Sequence, residues 1–469
     1  MSLMKIIYQN KTTVFLILFL TLFLSGNQDL NAQFWKKKKK EIKTPKKTPP
    51  KKKVKSIKDL TKSSKKIEGL FTIYQDTVTG SVKLLVKKEQ LTKEFIYFSQ
   101  IADGVADAGK FRGSYQGSSI FHVKKYFNRL EFVAPNNSFY FDEKIAISKS
   151  SSANISEAII ATGKILASDS KTGEYLIAAD DLFLSEIFTR IKGPRYPGQS
   201  PLAFSLGRFD KTKSKIKKIK NYPENTNIKT EYVFNNPAVL NGGSNAVTDG
   251  RNVSILVFHT FMKMPENDYE TRLDDPRVGY FLTETNDMTT TEVVNYRDFI
   301  HRWKLVKKNP NATLSDPVTP ITWWIENTTP VEFIETIKDG VLAWNVAFQK
   351  AGFSNAMVVK VQPDDADWDA GDIRYNVLRW TSSPNPRFGG YGPSFVNPKT
   401  GEILGADIML EYVHFTNRVY YEKIFDNATA LNFTAVTSEE EELKFFKNKS
   451  NHLFCSKGHL MHENTLFGQ

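Results

Sequence analysis

The chain has 469 residues but only one cysteine, Cys455, which excludes an intrachain disulfide. Its fold must therefore be stabilised by packing or by bound metal. Acidic side chains are scarce in one segment only: between Lys36 and Lys66, 16 Lys face Glu41 and Asp59, a net charge of +14. The whole chain carries +13, so the remainder carries −1. The remainder has no basic excess, which predicts that nucleic acid is not a partner.

Long apolar runs are also missing. The longest, Val14–Leu24, follows Lys5 and Lys11 and is shorter than the roughly 18 residues that a membrane-spanning helix needs. This order is typical of a secretory signal, and we predict a signal peptide over residues 1–32 that is cleaved after Ala32. No cysteine lies near this junction to accept lipid. We therefore expect an exported protein that is periplasmic, associated with the outer envelope, or secreted.

Residues 33–66 are rich in lysine and proline and almost free of apolar side chains. Such a segment buries too little surface to offset the entropy lost on ordering. It is predicted to be a disordered linker. A further hypothesis is that its charge contacts an anionic envelope surface.

From Ile67 onward, short alternating strands are separated by turns that contain Gly, Asn or Asp. Examples of the predicted strands are Ser81–Lys87, Glu94–Gln100, Arg129–Val133, Lys164–Ser168 and Glu174–Ala178. This pattern favours antiparallel β-structure. We predict a small β-rich domain over residues 67–118 and a mixed β-rich domain over residues 119–308.

After residue 308, strands alternate with a helix. Ile321–Ile325 is a predicted strand, and Thr329, Pro330 and Glu332 give the N-cap, first helical position and capping box of a helix that ends at Gly352. Apolar residues at spacings of three and four predict one packed face, made of Ile334, Ile337, Val341, Trp344 and Phe348. Further strands are predicted at Met357–Val361, Asp372–Trp380 and Glu402–Leu410, with a glycine-containing loop at Gly389–Gly392. The predicted fold class is α+β: β-rich N-terminal domains followed by an α/β subdomain.

Several segments of this last part are similar to a known family. They are Ile321–Asn327, Gly340–Asn345, Ala347–Phe353, Ile373–Asn376, Gly392–Ser394 and Thr400–Ile408, and Asp275–Phe281 lies upstream. Together they resemble large exported bacterial zinc-dependent metalloproteases of the metzincin type, in which two β-rich domains of unknown role precede the peptidase domain. The resemblance implies that residues 309–469 are the N-terminal part of a metzincin-like catalytic domain.

The chemistry of that family comes from HExxHxxGxxH, in which three His bind zinc and Glu activates water. None of the seven His begins this motif. His462 is followed by Glu463, but Asn464, Thr465 and Leu466 come next, so the second His ligand is missing. We therefore assign no catalytic residue and no zinc ligand. The expectation is an N-terminal portion of an exported zinc endopeptidase that is inactive in this form, with zinc bound by the complete family member. The alternative is a non-catalytic binding module associated with the envelope.

The resemblance also implies where a peptide or protein substrate binds. In the family, the last strand of this subdomain lies antiparallel at the sheet edge, where extended substrate pairs with exposed backbone groups. Carried over to Glu402–Leu410, this predicts Leu404, Ala406 and Ile408 as substrate-binding residues. The alternative is that these residues only complete a sheet.

Two other groups contain residue types that bind metals. Asp365, Asp367 and Asp369 precede Gly371 in an acidic loop that is either solvated or holds a structural calcium ion, although it lacks the Gly and Glu positions of a hand motif. Downstream, four residues at helical spacing would share one helix face: His452, Cys455, His459 and His462. That face either packs against another part of the domain or supplies two or three ligands to a transition metal.

Overall fold

The computed structural model describes residues 55–194, 196–200, 202–384, 386, 388–414 and 416. Before residue 264, the described chain forms one sheet of 12 strands. The strands up to that point are β1 (Ser64–Ile67), β2 (Thr72–Asp76), β3 (Val82–Lys87), β4 (Glu94–Asp103), β5 (Tyr115–Tyr126), β6 (Arg129–Ala134), β7 (Phe139–Tyr140), β8 (Ala158–Asp169), β9 (Glu174–Ala178), β10 (Arg208–Phe209), β11 (Lys215–Asn221), β12 (Asn225–Asn235) and β13 (Asn252–Lys263). Only β7 lies outside the large sheet.

The large sheet has the order β1-β2-β3-β9-β8-β6-β5-β4-β13-β12-β10, and β11 also pairs with β12. Every pair in it is antiparallel, as the alternating pattern predicts. Two short helices accompany the sheet, α1 (Ile57–Leu60) and α2 (Asp180–Phe183).

The turn between β2 and β3 illustrates how local sequence sets the pairing. Gly80 has φ +74°, which favours glycine, and its N–H donates to the Asp76 carbonyl oxygen at 3.0 Å. The Asp76 carboxylate accepts hydrogen bonds from the N–H groups of Val78 and Thr79 and from the Thr79 hydroxyl. These bonds and one from Ser63 lower the pKa of Asp76. The loop therefore closes on one carboxylate, which fixes the register of the hairpin.

The core of this sheet is aromatic. Phe261 is 1% exposed, and its ring lies 5.3 Å from that of Phe121 and 5.2 Å from that of Phe188. A second cluster, at the other end of the sheet, includes Ile101, Tyr232 and Val257. Such edge and tilted ring pairs add to the free energy gained from burying apolar area.

Residues 264–308 contain little regular structure. Short strands β14 (Leu282–Thr283) and β16 (Phe299–Ile300) pair antiparallel, and β15 (Asn286–Asp287) pairs parallel with β7. Phe299 and Ile300 are buried. This part of the chain leads from the large sheet to a second one.

The second sheet is built from residues 321–411. Its strands are β17 (Ile321–Ile325), β18 (Met357–Val361), β19 (Asn376–Thr381), β20 (Gly390–Tyr391), β21 (Ser394–Val396) and β22 (Ile403–Glu411). The order is β18-β17-β19-β22-β20, with β21 also paired to β22. The first four strands in this order run parallel, and β20 and β21 run antiparallel to β22. The described chain is thus β-rich with a helical layer on the second sheet, an α+β arrangement.

That helical layer differs from the prediction. A 3-10 turn at Val331–Phe333 precedes α3 (Ile334–Leu342), and a second helix, α4 (Asn345–Lys350), follows a break. The predicted capping box is wrong, because the buried Thr329 hydroxyl has no hydrogen-bond partner among the described residues and caps no helix. Four of the five predicted core residues pack against the sheet, whereas Trp344, in the break between the two helices, is 64% exposed. Gly352 ends the layer with φ +88°.

The two sheets belong to one compact unit, and polar and apolar contacts join them. The Gln100 side-chain amide donates to the Gly371 carbonyl oxygen at 3.1 Å, and Lys399 forms an ion pair with Glu94 at 2.6 Å. The rings of Phe98 and Phe395 lie 5.8 Å apart. The β-rich part therefore packs directly against the second sheet.

The structure also bears on the segment boundaries. Residues 57–66, the last part of the segment predicted to be a disordered linker, form α1 and most of β1 in the structure. The Ser56 hydroxyl accepts from the Asp59 N–H, the Asp59 carboxylate accepts from the Ser56 N–H, and β1 pairs with β2, which together order this end. The predicted boundary after residue 118 falls inside β5, so both predicted β-rich domains contribute strands to one sheet. No helix in the described part of the chain is long and apolar enough to span a membrane.

Candidate functional site

The strand predicted to bind substrate, β22, does not lie at an edge of the second sheet. It pairs in parallel with β19 through residues Asp407–Glu411 and in antiparallel fashion with β20 and β21 on its other side. The expected antiparallel edge position is therefore wrong for this strand. Its backbone is already paired on both sides, which leaves little of it open to an extended peptide.

The three predicted binding residues lie in packed surroundings. Ala406 is 6% exposed, and its N–H donates to the Asn376 side-chain oxygen at 3.0 Å. Ile408 packs with Ala406 against the cluster that contains Ile325. Leu404 packs against the cluster between the two sheets. The alternative interpretation, that these residues complete a sheet, agrees better with this geometry.

The antiparallel edge of the second sheet consists of β20 and β21. Among the described strands, each of the two pairs only with β22. Gly390 is exposed, whereas Phe395 is anchored by ring contacts with Phe98 and Tyr115. The Tyr391 hydroxyl accepts a hydrogen bond from the Tyr115 N–H at 3.3 Å. The β-rich part thus holds this edge in place.

A cleft of about 610 Å³ lies beyond the carboxyl ends of β17 and β19. Its walls come from both parts of the molecule and include Phe111, Arg112, Pro330, Trp380, Ser383 and Tyr412. In open sheets with parallel strands, ligands bind in crevices at this end of the strands. Beside the cleft, buried Glu411 accepts hydrogen bonds from the Thr381 hydroxyl and from the Ser383 N–H and hydroxyl, at 2.7–2.8 Å.

Three charged side chains meet inside the second sheet. Arg379, on β19, lies 3.9 Å from a carboxylate oxygen of Glu326 and 3.9 Å from one of Asp407. Both contacts are longer than a hydrogen bond, and Arg379 Nε and Asp407 Oδ2 have no hydrogen-bond partner among the described residues. Burial raises the pKa of Asp407 to about 7, although Arg379 opposes the shift. Asp407 therefore binds a proton near neutral pH.

The acidic loop contacts lysines of the large sheet. Asp367 forms an ion pair with Lys220 at 3.1 Å, and Asp369 with Lys229 at 3.4 Å. These lysines neutralise part of the charge that a calcium ion would need. The residues that the structure describes include no group of three or more His, Cys, Asp or Glu side chains arranged to hold a metal ion. The structural calcium ion stays a prediction, as does the metal-binding helix face, whose residues His452, Cys455, His459 and His462 lie outside the described part.

A buried histidine in the large sheet was not anticipated from the sequence. His259 Nδ1 lies 2.8 Å from the Tyr97 hydroxyl, and Nε2 lies 3.1 Å from the hydroxyls of both Thr230 and Tyr232. Burial lowers the pKa of His259 to about 3, so the ring is neutral at physiological pH. A single His in an apolar strand carries no sequence signal for such a network. Because the ring is 0% exposed, the network is a structural element of the core.

Comparison with known proteins gives one match. Residues 116–308 match the model of a domain of unknown function, DUF5117. This segment begins in β5 and ends before β17, so it covers much of the large sheet and the irregular part that follows. No curated protein and no solved structure matches the chain. The chain therefore contains a region similar to DUF5117.

Proposed function

We propose that this chain is the N-terminal portion of an exported zinc-dependent metalloendopeptidase, and that its second sheet forms the substrate side of the cleft. The observation that carries the proposal is the order of the second sheet: parallel β18-β17-β19-β22 bordered by antiparallel β20 and β21. A peptide in extended conformation binds to an antiparallel edge of this kind through main-chain hydrogen bonds. The segments that resemble metzincin-type peptidases lie on the same strands and on the helical layer.

In this proposal the edge formed by β20 and β21 takes the role first assigned to β22. Gly390 and Gly392 leave space for a close backbone approach, since nothing lies within 3.6 Å of a Cβ placed at either position. Phe395 and Tyr391, held by the large sheet, fix the position of the edge. The chain's own residues would thus orient a peptide and supply no chemical step.

The described residues do not form a zinc site of the kind that the proposed family uses. They offer no suitable set of three ligands, so no step of the reaction is assigned to this part of the chain. In the complete peptidase, zinc would activate the attacking water on ligands that lie outside residues 55–416. Consistent with this, the chain alone is proposed to be inactive, and its metal content tests that point directly.

Hydrogen–deuterium exchange on the full chain, with and without a pool of extended peptides, tests the substrate role. We expect the amides of residues 390–396 to exchange more slowly when peptide is present. The variant Gly392→Pro removes a backbone donor at this edge. Gly279→Pro serves as a control for a general effect of proline, because Gly279 is exposed, lies outside both sheets and has nothing within 4 Å of a Cβ placed there. Slowing confined to other strands, or no slowing at all, would rule out the edge as a peptide site.

Zinc analysis and peptide hydrolysis complete the test. We expect less than about one tenth of an equivalent of zinc and no cleavage that chelators inhibit, because the described residues lack the three ligands that a catalytic zinc site needs. Stoichiometric zinc in the purified chain would overturn the proposal that the chain alone is inactive and would direct attention to His452, Cys455, His459 and His462. Reading the gene beyond codon 469 for an HExxH sequence is an independent check.

The second candidate is a non-catalytic, envelope-associated binding module, to which the lysine-rich segment would add contact with an anionic surface. One observation favours it: the β-rich part has a cavity of about 960 Å³, larger than the cleft of the second sheet. If the chain binds a ligand there and no peptide at the edge, this second function is preferred.

A further inference from the structure

The large cavity lies at the end of the large sheet that is remote from β1. Loops after β4 and before β10, together with the end of β12, form its walls. At about 960 Å³ it has the size of pockets that enclose an organic molecule of moderate size, and it is far larger than a metal ion requires. We call it the basic cavity, because four of its lining residues are Lys110, Arg190, Lys192 and Arg208.

The cations of the basic cavity outnumber its acids. Among the described lining residues Asp107 is the one acid, and it accepts hydrogen bonds from the Ser244 N–H at 2.9 Å and the Ser244 hydroxyl at 2.8 Å. Among the described residues, no ion pair involves any of the four cations. Glu186, whose carboxylate accepts hydrogen bonds from the N–H groups of Ile191 and Lys192, offsets part of this charge. The four cations still outnumber the acids around them.

The contacts that the cations do make are with neutral groups. The Lys110 ammonium donates to the Gln116 side-chain oxygen at 2.6 Å, and the Lys192 ammonium donates to the Gly207 carbonyl oxygen at 2.9 Å. Arg190 Nε donates to the Lys192 carbonyl oxygen. These bonds hold the side chains in position and leave their charge in place. A half-buried ammonium with a neutral partner is unfavourable, and burial accordingly lowers the pKa of Lys110.

We propose that the basic cavity binds an organic anion with at least two phosphate, sulfate or carboxylate groups. Several oxyanion groups would neutralise several cations at once, and Arg190 and Arg208 have the planar fork that matches such groups. Phe204 and Leu206 add an apolar wall, so the ligand has a carbon skeleton as well as charge. This site is separate from the edge formed by β20 and β21, so the inference does not depend on the proposed peptidase descent.

The surroundings favour a small ligand over a polymer. Outside the lysine-rich segment the chain carries a net charge of only −1, so the cations of this cavity are not part of a general basic excess. A polymer such as nucleic acid needs a basic track along a surface. A compact polyanion needs only the cations of one cavity.

Isothermal titration of the full chain tests the proposal with three probes at constant ionic strength: inositol hexakisphosphate, citrate and uncharged inositol. We expect the first to bind, citrate to bind more weakly, and inositol not to bind. Lys110→Gln and Arg208→Gln should each weaken binding by about tenfold, the size expected for one charge-assisted hydrogen bond. Lys171→Gln, at an exposed residue of the β8–β9 turn, is the matched control and should change the dissociation constant by less than about twofold.

Arg208→Gln keeps the test valid even if the half-buried Lys110 proves necessary for folding, since Arg208 is exposed. Melting temperatures of all variants without ligand check that they fold. Absence of binding by both anions, or equal weakening by Lys171→Gln, would overturn the proposal. A single-stranded oligonucleotide that binds more tightly than either anion, with an affinity that Arg208→Gln leaves unchanged, would also overturn it.

Discussion

Two buried polar clusters, one in each sheet, differ in how their polar atoms are satisfied. The large sheet surrounds His259 with three hydroxyl groups within 3.1 Å, whereas the second sheet holds Arg379 at 3.9 Å from each of two carboxylates. In the first case every ring nitrogen has a partner. In the second, Arg379 Nε and Asp407 Oδ2 have none among the described residues. Because unsatisfied buried charges cost stability, they persist chiefly where a protein has another use for them, so of these two clusters the one around Arg379 is the better place to look for function.

The largest expected effect tests the aromatic core of the large sheet. Phe261→Ala should lower the free energy of unfolding by about 3–5 kcal/mol, because it removes a fully buried ring from a cluster of other rings. Urea unfolding measures this change. Phe261→Leu, which retains most of the volume, should cost roughly 1 kcal/mol. If Phe261→Ala lost less than roughly 1 kcal/mol, the large sheet would not be the main source of stability.

Acid should weaken the large sheet through His259. Its pKa is lowered to about 3 in the folded protein, below the usual value of about 6.5, so the unfolded state binds more protons between these values. Stability is therefore lost as pH falls from 6.5 towards 3. Between pH 7 and pH 4 we expect His259 to contribute a loss of about 3 kcal/mol.

Two variants isolate that contribution in urea unfolding at pH 7 and pH 4. His259→Gln should reduce the loss on acidification, although it lowers stability at pH 7. Tyr97→Phe removes the hydroxyl next to Nδ1, costs about 1 kcal/mol and leaves the pH dependence in place. Equal acid sensitivity of the glutamine variant and the parent would show that other groups dominate.

The second sheet should show the opposite pH dependence. Asp407 has its pKa raised to about 7 from an ordinary value near 3.8, so the folded state binds more protons between these values. The contribution of Asp407 to the free energy of unfolding is therefore fully present below about pH 3.8 and is lost as pH rises through 7. Relative to the parent, Asp407→Asn should therefore gain about 2–3 kcal/mol of stability between pH 5 and pH 8.

Asp367→Asn is the matched control, because Asp367 is exposed and its ion pair with Lys220 is open to solvent. Its effect should stay below about 0.5 kcal/mol at both pH values. If Asp407→Asn is less stable than the parent at pH 8, then the carboxylate is held by Arg379 more strongly than the 3.9 Å separation suggests. The contrast between the two buried clusters would then disappear.

The local sequence predicted the secondary-structure elements better than it predicted which elements lie next to each other. The strands at Ile321–Ile325, Met357–Val361 and Glu174–Ala178 have the predicted bounds, since alternation and short apolar runs are local signals. The position of β22 between β19 and β21 depends on pairings between distant segments, which local pattern does not encode. For the same reason, the contact of Glu326 with Arg379 and the contacts of His259 with three other strand residues could not be read from the sequence.

The smallest expected effect concerns Trp344, where periodicity and structure disagree. A continuous helix would bury this residue with Ile337 and Val341, and its replacement by alanine would then cost several kcal/mol. In the structure the helix breaks after Leu342 and Trp344 is 64% exposed, so Trp344→Ala should change the free energy of unfolding by less than about 0.5 kcal/mol. Val341→Ala, on the packed face, should cost about 2 kcal/mol and serves as the control. Fluorescence gives a second readout, because an exposed indole is quenched by iodide and a buried one is not. A large loss in the Trp344 variant would mean that this face is covered in the intact protein, and the layer would then be a contact surface for further chain or for a partner.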